Sequence, residues 1–204
     1  MKITEVPHGL DLSKPTEGYI RTPGLHMSDI YGALYADLEP ARYGKNGPFG
    51  HTRMAFGTVF EQVLEIAFAH HFLGERPGEL ACLPDARIVP LGTPNSIIFS
   101  PDQLFFDRVT IGGEFKATKM TSRHGIQDAR FDKYFCQMKA YGKPMQVRLW
   151  HLFVLFINGD YSFAKDDPDG GMDLKKFEIE FTQRELDDNW NMLMRYARKK
   201  GMLI

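Results

Sequence analysis

The stretch 147–157 is apolar at every position except Arg148 and His151, and it constrains the possible fold more than any other segment. It is too short to span a membrane. An apolar run of this length is typical of a strand that is covered on both faces. We therefore expect a buried central strand here, in a sheet that is packed against helices.

Helical and extended patterns alternate along the rest of the chain. Four helices are predicted from apolar spacing and end signals: from the N-cap Ser28 to Pro40, from Thr52 to Gly74, from Gln127 to Gly142, and from the capping box of Thr182 and Glu185 to Gly201. Further short strands are predicted at 87–90, 97–100, 104–109, 113–118 and 177–181. This order indicates an α/β fold with a central mixed sheet flanked by helices, in a single domain over 1–204 whose first 25 residues form an irregular arm.

Charge and cysteine content exclude several classes of protein. The formal net charge is -1, so nucleic acid could be bound only through a local patch and not by bulk charge. Cys82 and Cys136 are the only cysteines and cannot form a four-cysteine zinc or iron–sulfur site. They are not in CxxC spacing, so a reducing cytoplasm is the expected location. The first residues lack the apolar core of a signal peptide, and no apolar run is long enough to span a membrane.

Two short segments carry the chemistry. Asp102 follows Ser100 and Pro101, and Glu114 and Lys116 are separated by one residue in a predicted strand. Alternate residues of a strand share a face, so a hairpin between the two segments would bring both carboxylates and the ammonium to one edge. Carboxylates are hard ligands for Mg²⁺ or Mn²⁺, and an adjacent lysine can stabilise charge on a phosphate. These parts suit phosphodiester hydrolysis.

The pattern resembles the PD-(D/E)XK nuclease superfamily, in its RecB-like and lambda-exonuclease-like viral exonuclease branch. Segment 57–65 (GTVFEQVLE) is similar to the GTxxHxxLE helix motif of that branch, and Gln137 and Tyr141 match its QxxxY motif. The four motifs occur in the family's order over 57–141. The resemblance implies the PD-(D/E)XK (restriction-endonuclease-like) fold.

The resemblance also implies roles for individual residues. Asp102, Glu114 and Glu61 would be catalytic metal ligands, with the Phe115 carbonyl as a further oxygen, and Lys116 would be the catalytic lysine. Glu61 stands where much of the branch has a histidine, which favours an all-oxygen site for Mg²⁺, with Mn²⁺ as a substitute. No iron–sulfur cluster is expected.

Residues around these motifs are candidates for nucleic-acid contacts. The resemblance places the face of Gln137 and Tyr141 beside the site and against the nucleic acid. Arg53, one helical turn before the first motif, could hold a phosphate, and Thr118 and Lys119 follow the catalytic strand in a polar, basic segment that could contact the DNA backbone.

Each candidate residue also has an ordinary structural interpretation. Asp102 could be a turn aspartate after proline, and Glu114 and Lys116 could be solvated strand residues. Glu61 could be a charge on a helix surface. Gln137 and Tyr141 would be unremarkable helix residues without the other motifs.

The sequence thus predicts a metal-dependent DNA exonuclease that acts in viral or phage recombination, repair or DNA processing, located in the host cytoplasm if viral. Its partners would be DNA and, by family analogy, a single-strand-annealing or recombination protein; a ring-shaped homo-oligomer is compatible with the charge. Two alternatives stay open: a structure-specific endonuclease or junction resolvase on the same fold, and a non-catalytic DNA-binding protein that retains it.

Overall fold

The computed structural model describes residues 22–44, 57, 59–60, 80–81, 86–88, 96–106, 109–157 and 173–203. The larger sheet contains five strands, in the order β2 (Leu80–Ala81), β5 (Gln103–Phe106), β6 (Thr110–Thr118), β7 (Leu149–Phe156) and β8 (Asp173–Glu180). β6 and β7 are parallel and the other neighbours are antiparallel, so this sheet is mixed. A smaller sheet has the order β1 (Leu25–His26), β4 (Ile97–Phe99) and β3 (Ala86–Ile88).

Helices cover the larger sheet. They are α1 (Met27–Leu38), the single turn α2 (Pro40–Tyr43), α3 (Asp132–Met145) and α4 (Gln183–Lys199), with short 3₁₀ helices at Ser122–His124 and Ala129–Phe131. α1, α3 and α4 pack on one another and on the sheet. The predicted fold class, α/β with a central mixed sheet flanked by helices, is confirmed. None of the helices in the described ranges is long and apolar enough to cross a membrane.

The apolar run forms β7, the strand between β6 and β8. Its side chains alternate between the faces, and those on the helix side are completely buried: Trp150, Leu152, Val154 and Phe156. Those on the other face are only partly covered by the described residues. The prediction of a central strand is therefore confirmed. The predicted burial is complete on the helix side and partial on the other face.

α3 differs from its prediction at both ends. It begins at Asp132, after the 3₁₀ turn Ala129–Phe131, and it continues through Gly142 and Pro144 to Met145. Gly142 is needed because a Cβ there would lie 2.4 Å from the carbonyl oxygen of Val147, where the chain turns back toward β7. The helix ends at Met145, one residue after Pro144, and its C-cap Gln146 has a left-handed φ of 57°.

The predicted N-cap of the first helix was wrong. α1 begins at Met27, and the capping residue is His26, whose backbone N–H donates to Asp29 Oδ2 at 3.0 Å. The Asp29 carboxylate thus accepts from the N–H of the capping residue itself, whereas Ser28 at the N-cap would accept from an N–H within the first turn. The last helix matches its prediction, because Thr182 and Glu185 form a reciprocal capping box at its start.

Candidate active site

The β5–β6 hairpin brings the two predicted segments together. Gln103 pairs with Gly113 in antiparallel register, so the preceding Asp102 reaches the middle of β6. Asp102 Oδ2 accepts a hydrogen bond of 2.7 Å from the backbone N–H of Phe115. The predicted hairpin is confirmed, and Asp102 is fixed to β6 because its carboxylate accepts this hydrogen bond.

Glu114 and Lys116 share one face of β6, as their alternation predicted, and this face lies toward α3. Glu114 is completely buried and forms an ion pair with the Lys116 ammonium. Lys116 Nζ lies 3.8 Å from Asp102 Oδ2 and donates to the carbonyl oxygen of Phe115 at 2.8 Å. The Phe115 ring points to the opposite face and packs 5.3 Å from Phe153, centroid to centroid. The interpretation of Glu114 as a solvated strand carboxylate is therefore wrong.

Gln137 completes the surroundings of Glu114. Its Nε2 donates to Glu114 Oε1 at 2.5 Å, and the amide is itself buried. Burial of a carboxylate is costly unless donors replace its water. Lys116 from the same strand and Gln137 from α3 both contribute donors that replace this water.

A pair of buried tyrosines lies next to this carboxylate. Tyr141 is one turn after Gln137, and its hydroxyl is hydrogen bonded to that of Tyr31 on α1. Burial raises the pKa of Tyr31 well above its usual value, and the negative charge of Glu114 raises it further. The same two causes and the neighbouring Tyr31 raise the pKa of Tyr141. Both hydroxyls are therefore neutral hydrogen-bonding groups. The sequence analysis missed Tyr31, which no motif marks.

Lys133 is a second residue that the sequence analysis missed. It lies one turn before Gln137 on α3, and its Nζ is 4.8 Å from the centroid of the Tyr43 ring. Burial lowers the pKa of Lys133, and the positive charge of Lys116 lowers it further. The spacing of Lys133, Gln137 and Tyr141, four residues each, was the available signal that all three share one helix face.

The remaining predicted site residues fall into two groups. Thr118 ends β6, and its hydroxyl accepts from the backbone N–H of Met120 at 3.3 Å; Lys119 follows it and is exposed. Glu61 and Arg53 lie outside the described residues; of the first motif's segment, Gly57, Val59 and Phe60 are described and are helical.

The contact of Gln137 and Tyr141 with nucleic acid stays a prediction. Both side chains are buried here, with Gln137 on Glu114 and Tyr141 packed edge-on at 6.0 Å from the Phe99 ring.

The oxygens of this cluster suit a divalent cation. The carboxylates of Asp102 and Glu114 and the carbonyl of Phe115 are hard donors, and all three already contact or face the Lys116 ammonium. They therefore surround a position that favours positive charge. Among the described residues, no group of three or more acidic, histidine or cysteine side chains converges to bind a metal; the third predicted carboxylate, Glu61, lies outside them.

Comparison with known proteins gives likeness of fold only. No protein-family model and no curated protein matches the chain. Among solved structures, SSO0001 is similar with a TM-score of 0.50 and 11% identity, over 87% of this chain and 79% of that one. An alkaline exonuclease from Laribacter hongkongensis has a TM-score of 0.46 and 14% identity to this chain. A phage-related exonuclease from Haemophilus somnus has a TM-score of 0.43 and 13% identity. Each of these two comparisons covers 84% of this chain and 78% of the other chain.

Proposed function

We propose that this chain is a metal-dependent DNA nuclease, and specifically an exonuclease. The observation that carries the proposal is the convergence of Asp102, the fully buried Glu114 and Lys116 on one side of β6. Even when buried charges are paired, their desolvation cost can exceed what their attraction returns, so this arrangement adds little stability. Such an arrangement is therefore expected where it performs chemistry.

The carboxylates are the proposed ligands of one or two Mg²⁺ ions. Asp102 and Glu114 would hold the cation together with the Phe115 carbonyl and Glu61. When bound, Mg²⁺ would neutralise charge on the scissile phosphate and acidify a coordinated water. Asp102 is held by the Phe115 N–H and Glu114 by Gln137, so the two carboxylates are fixed before any ligand arrives.

Lys116 supplies the positive charge at the reacting phosphate. Its ammonium contacts Glu114 and lies 3.8 Å from Asp102, which places it where both carboxylates point. From there it can donate to the attacking water or to a phosphate oxygen as negative charge increases in the transition state. Gln137 keeps Glu114 in position, and the Tyr31–Tyr141 pair keeps the wall beside it neutral.

The action on DNA ends and a role in viral recombination or repair are supported by the sequence resemblance. The solved structures that resemble this chain, at 11–14% identity, give no argument for either of these two roles. A DNA substrate follows from the same resemblance, and the single-strand-annealing or recombination partner is proposed by analogy.

The proposal is tested with linear DNA labelled at either the 5′ or the 3′ end and with a closed circle. Each is incubated with the protein in Mg²⁺, in Mn²⁺ and in chelator. Lys116→Ala is the test variant. Lys143→Ala is the matched control, because Lys143 lies on α3 and pairs with Asp187 on α4, away from β6.

Loss of linear DNA that requires metal and Lys116 supports an exonuclease, and the order in which the labels are lost gives its polarity. Cutting of the circle supports the endonuclease alternative. Tight binding without cutting of any substrate supports a non-catalytic DNA-binding protein and contradicts the proposal.

A further inference from the structure

A second cation lies beside the candidate active site. Lys133 precedes Gln137 by one turn on α3, on the helix face that also carries Tyr141. It is half-buried and feels the positive charge of Lys116. Lys116 Nζ lies 5.7 Å from the centroid of the ring of Tyr134, the residue that follows Lys133, so both ammonium groups lie near the same turn of α3. Two positive charges in one region favour the binding of an anion there.

The two lysines differ in their partners. Lys116 is in contact with Glu114, faces Asp102 and donates to a backbone carbonyl. Within the part of the chain that the structure describes, Lys133 has no ion pair with a carboxylate. Its neighbours are aromatic: its Nζ lies 4.8 Å from the Tyr43 centroid and 6.0 Å from that of Tyr31. Ring faces attract a cation only weakly and leave its charge available to an anion.

The aromatic neighbours also hold Lys133 in place. Tyr43 ends the short helix α2, and Tyr35 packs against it edge-on with the ring centroids 5.5 Å apart. Since the lysine stem is half-buried between packed rings, less side-chain freedom is lost when its ammonium binds a ligand. Lys133 is thus a positioned cation, in contrast to the exposed Lys119 at the end of β6.

We propose that Lys133 binds a backbone phosphate of the DNA strand, next to the phosphate that is hydrolysed. This inference rests on the proposed function. A DNA strand carries one phosphate per nucleotide, so a strand whose scissile phosphate lies at Lys116 presents its neighbouring phosphate to a cation on the adjacent helix face. A lysine ammonium binds phosphate as a point charge and requires no fixed orientation.

The test measures the salt dependence of DNA binding. Fluorescence anisotropy of a labelled duplex and its single strand is recorded in Ca²⁺ over a series of salt concentrations for wild type, Lys133→Gln and Lys133→Arg. One lost phosphate contact lowers the slope of log affinity against log salt by about 0.9 for a duplex or 0.7 for a single strand. The ratio of the DNA affinity of wild type to that of Lys133→Gln should therefore fall about threefold between about 50 and 200 mM salt. Lys133→Arg should keep the wild-type slope.

Controls separate the inference from folding and from bulk charge. Lys143→Gln removes one charge from the same helix and should leave the slope unchanged; Lys133→Met replaces Lys133→Gln if the latter unfolds. An unchanged slope in the folded Lys133 variant, or an equal loss in Lys143→Gln, overturns the inference. If wild type still cuts DNA in Mg²⁺, the proposed function stands. Wild-type protein that neither binds nor cuts DNA overturns both.

Discussion

Asp102 accepts a hydrogen bond from the backbone N–H of Phe115, and this bond joins the segment between the two sheets to the centre of β6. The carboxylate therefore has two separable properties at this position. One oxygen holds the hairpin together, and the charge is available for a cation and for Lys116, 3.8 Å away. Substitutions that keep the bond and remove the charge distinguish structure from chemistry.

We expect Asp102→Asn to remain folded and to lose activity. An asparagine Oδ1 can still accept from the Phe115 N–H, so its unfolding free energy in chelator should stay within about 1 kcal/mol of wild type. DNA cleavage should fall by about two to three orders of magnitude, the loss typical of removing one electrostatic group from an active site. Asp102→Ala should in addition lose about 1–3 kcal/mol of stability. Urea unfolding measures the change in stability, and the rate of DNA cleavage measures the change in activity. Near-wild-type cleavage by Asp102→Asn would contradict the ligand role of Asp102.

Magnesium should stabilise the folded protein. Asp102 and Glu114 repel each other, and Lys116 offsets only part of that repulsion, so an added cation binds the folded state in preference to the unfolded one. At about 100 times its Kd, Mg²⁺ should contribute about 2.7 kcal/mol, which corresponds to about 5–10 °C in Tm for a chain of this size. Thermal unfolding in Mg²⁺ and in NaCl of equal ionic strength tests this. A Tm that is unchanged in saturating Mg²⁺ refutes the prediction, and Asp102→Asn should lose most of the shift.

Gln137 should act through Glu114. Gln137→Ala removes the amide that donates to the buried carboxylate, which should cost about 1–3 kcal/mol of stability and reduce Mg²⁺ affinity about 10- to 100-fold. Gln183→Ala is the matched control, because Gln183 donates to Asp187 at the exposed surface of α4 and its loss should change stability by less than about 0.5 kcal/mol. Urea unfolding and titration of the Mg²⁺-dependent Tm measure both effects. Equal effects of the two substitutions would show that Gln137 has no special role.

Local patterns predicted the strand part of the site well. The alternation of Glu114 and Lys116 predicted their common face. The predicted strands 104–109 and 113–118 placed the turn too late, because β5 ends at Phe106 and β6 already begins at Thr110. Glu114 and Gln137 are 23 residues apart, and their contact depends on how α3 packs on the sheet. The family motif marked Gln137 as important but not as the donor to Glu114.

Packing between helices explains what could not be predicted. Tyr31 comes to the site because α1 lies against α3, a contact between segments more than 100 residues apart that no local pattern encodes. The end of α3 was placed too early because Gly142 and Pro144 usually stop a helix. Here the close approach of Val147 requires the glycine within the last turn.

Two glycines should respond in opposite ways to alanine. A Cβ at Gly112 on β6 would lie 2.5 Å from the ring of the fully buried Trp150, which cannot move aside, so Gly112→Ala should cost about 1–3 kcal/mol. Gly32 lies inside α1, and no atom of the described residues is near its Cβ position, so Gly32→Ala should gain about 0.5–1 kcal/mol from helix propensity. Urea unfolding of both variants measures the difference. Equal stability of Gly112→Ala and wild type would show that β6 and β7 pack less closely than described.

His151 should make stability depend on pH in a defined window. Burial lowers the pKa of His151, and the positive charge of Lys176 lowers it further, against the opposing effect of Glu178, whose Oε1 lies 3.3 Å from Nε2. The unfolded chain takes up the proton near pH 6.5, before the folded protein does, so acidification favours unfolding. The stabilisation is present above that pH and is lost as the pH falls through the lower pKa of the folded state.

The unfolding free energies of wild type and His151→Leu, measured from about pH 7.5 to 5.5, should therefore diverge in favour of the leucine variant. In a protein that keeps His151, Glu178→Gln should steepen the loss of unfolding free energy on acidification, since it removes the charge that favours protonated His151. Parallel curves for wild type and His151→Leu would show that His151 titrates equally in both states.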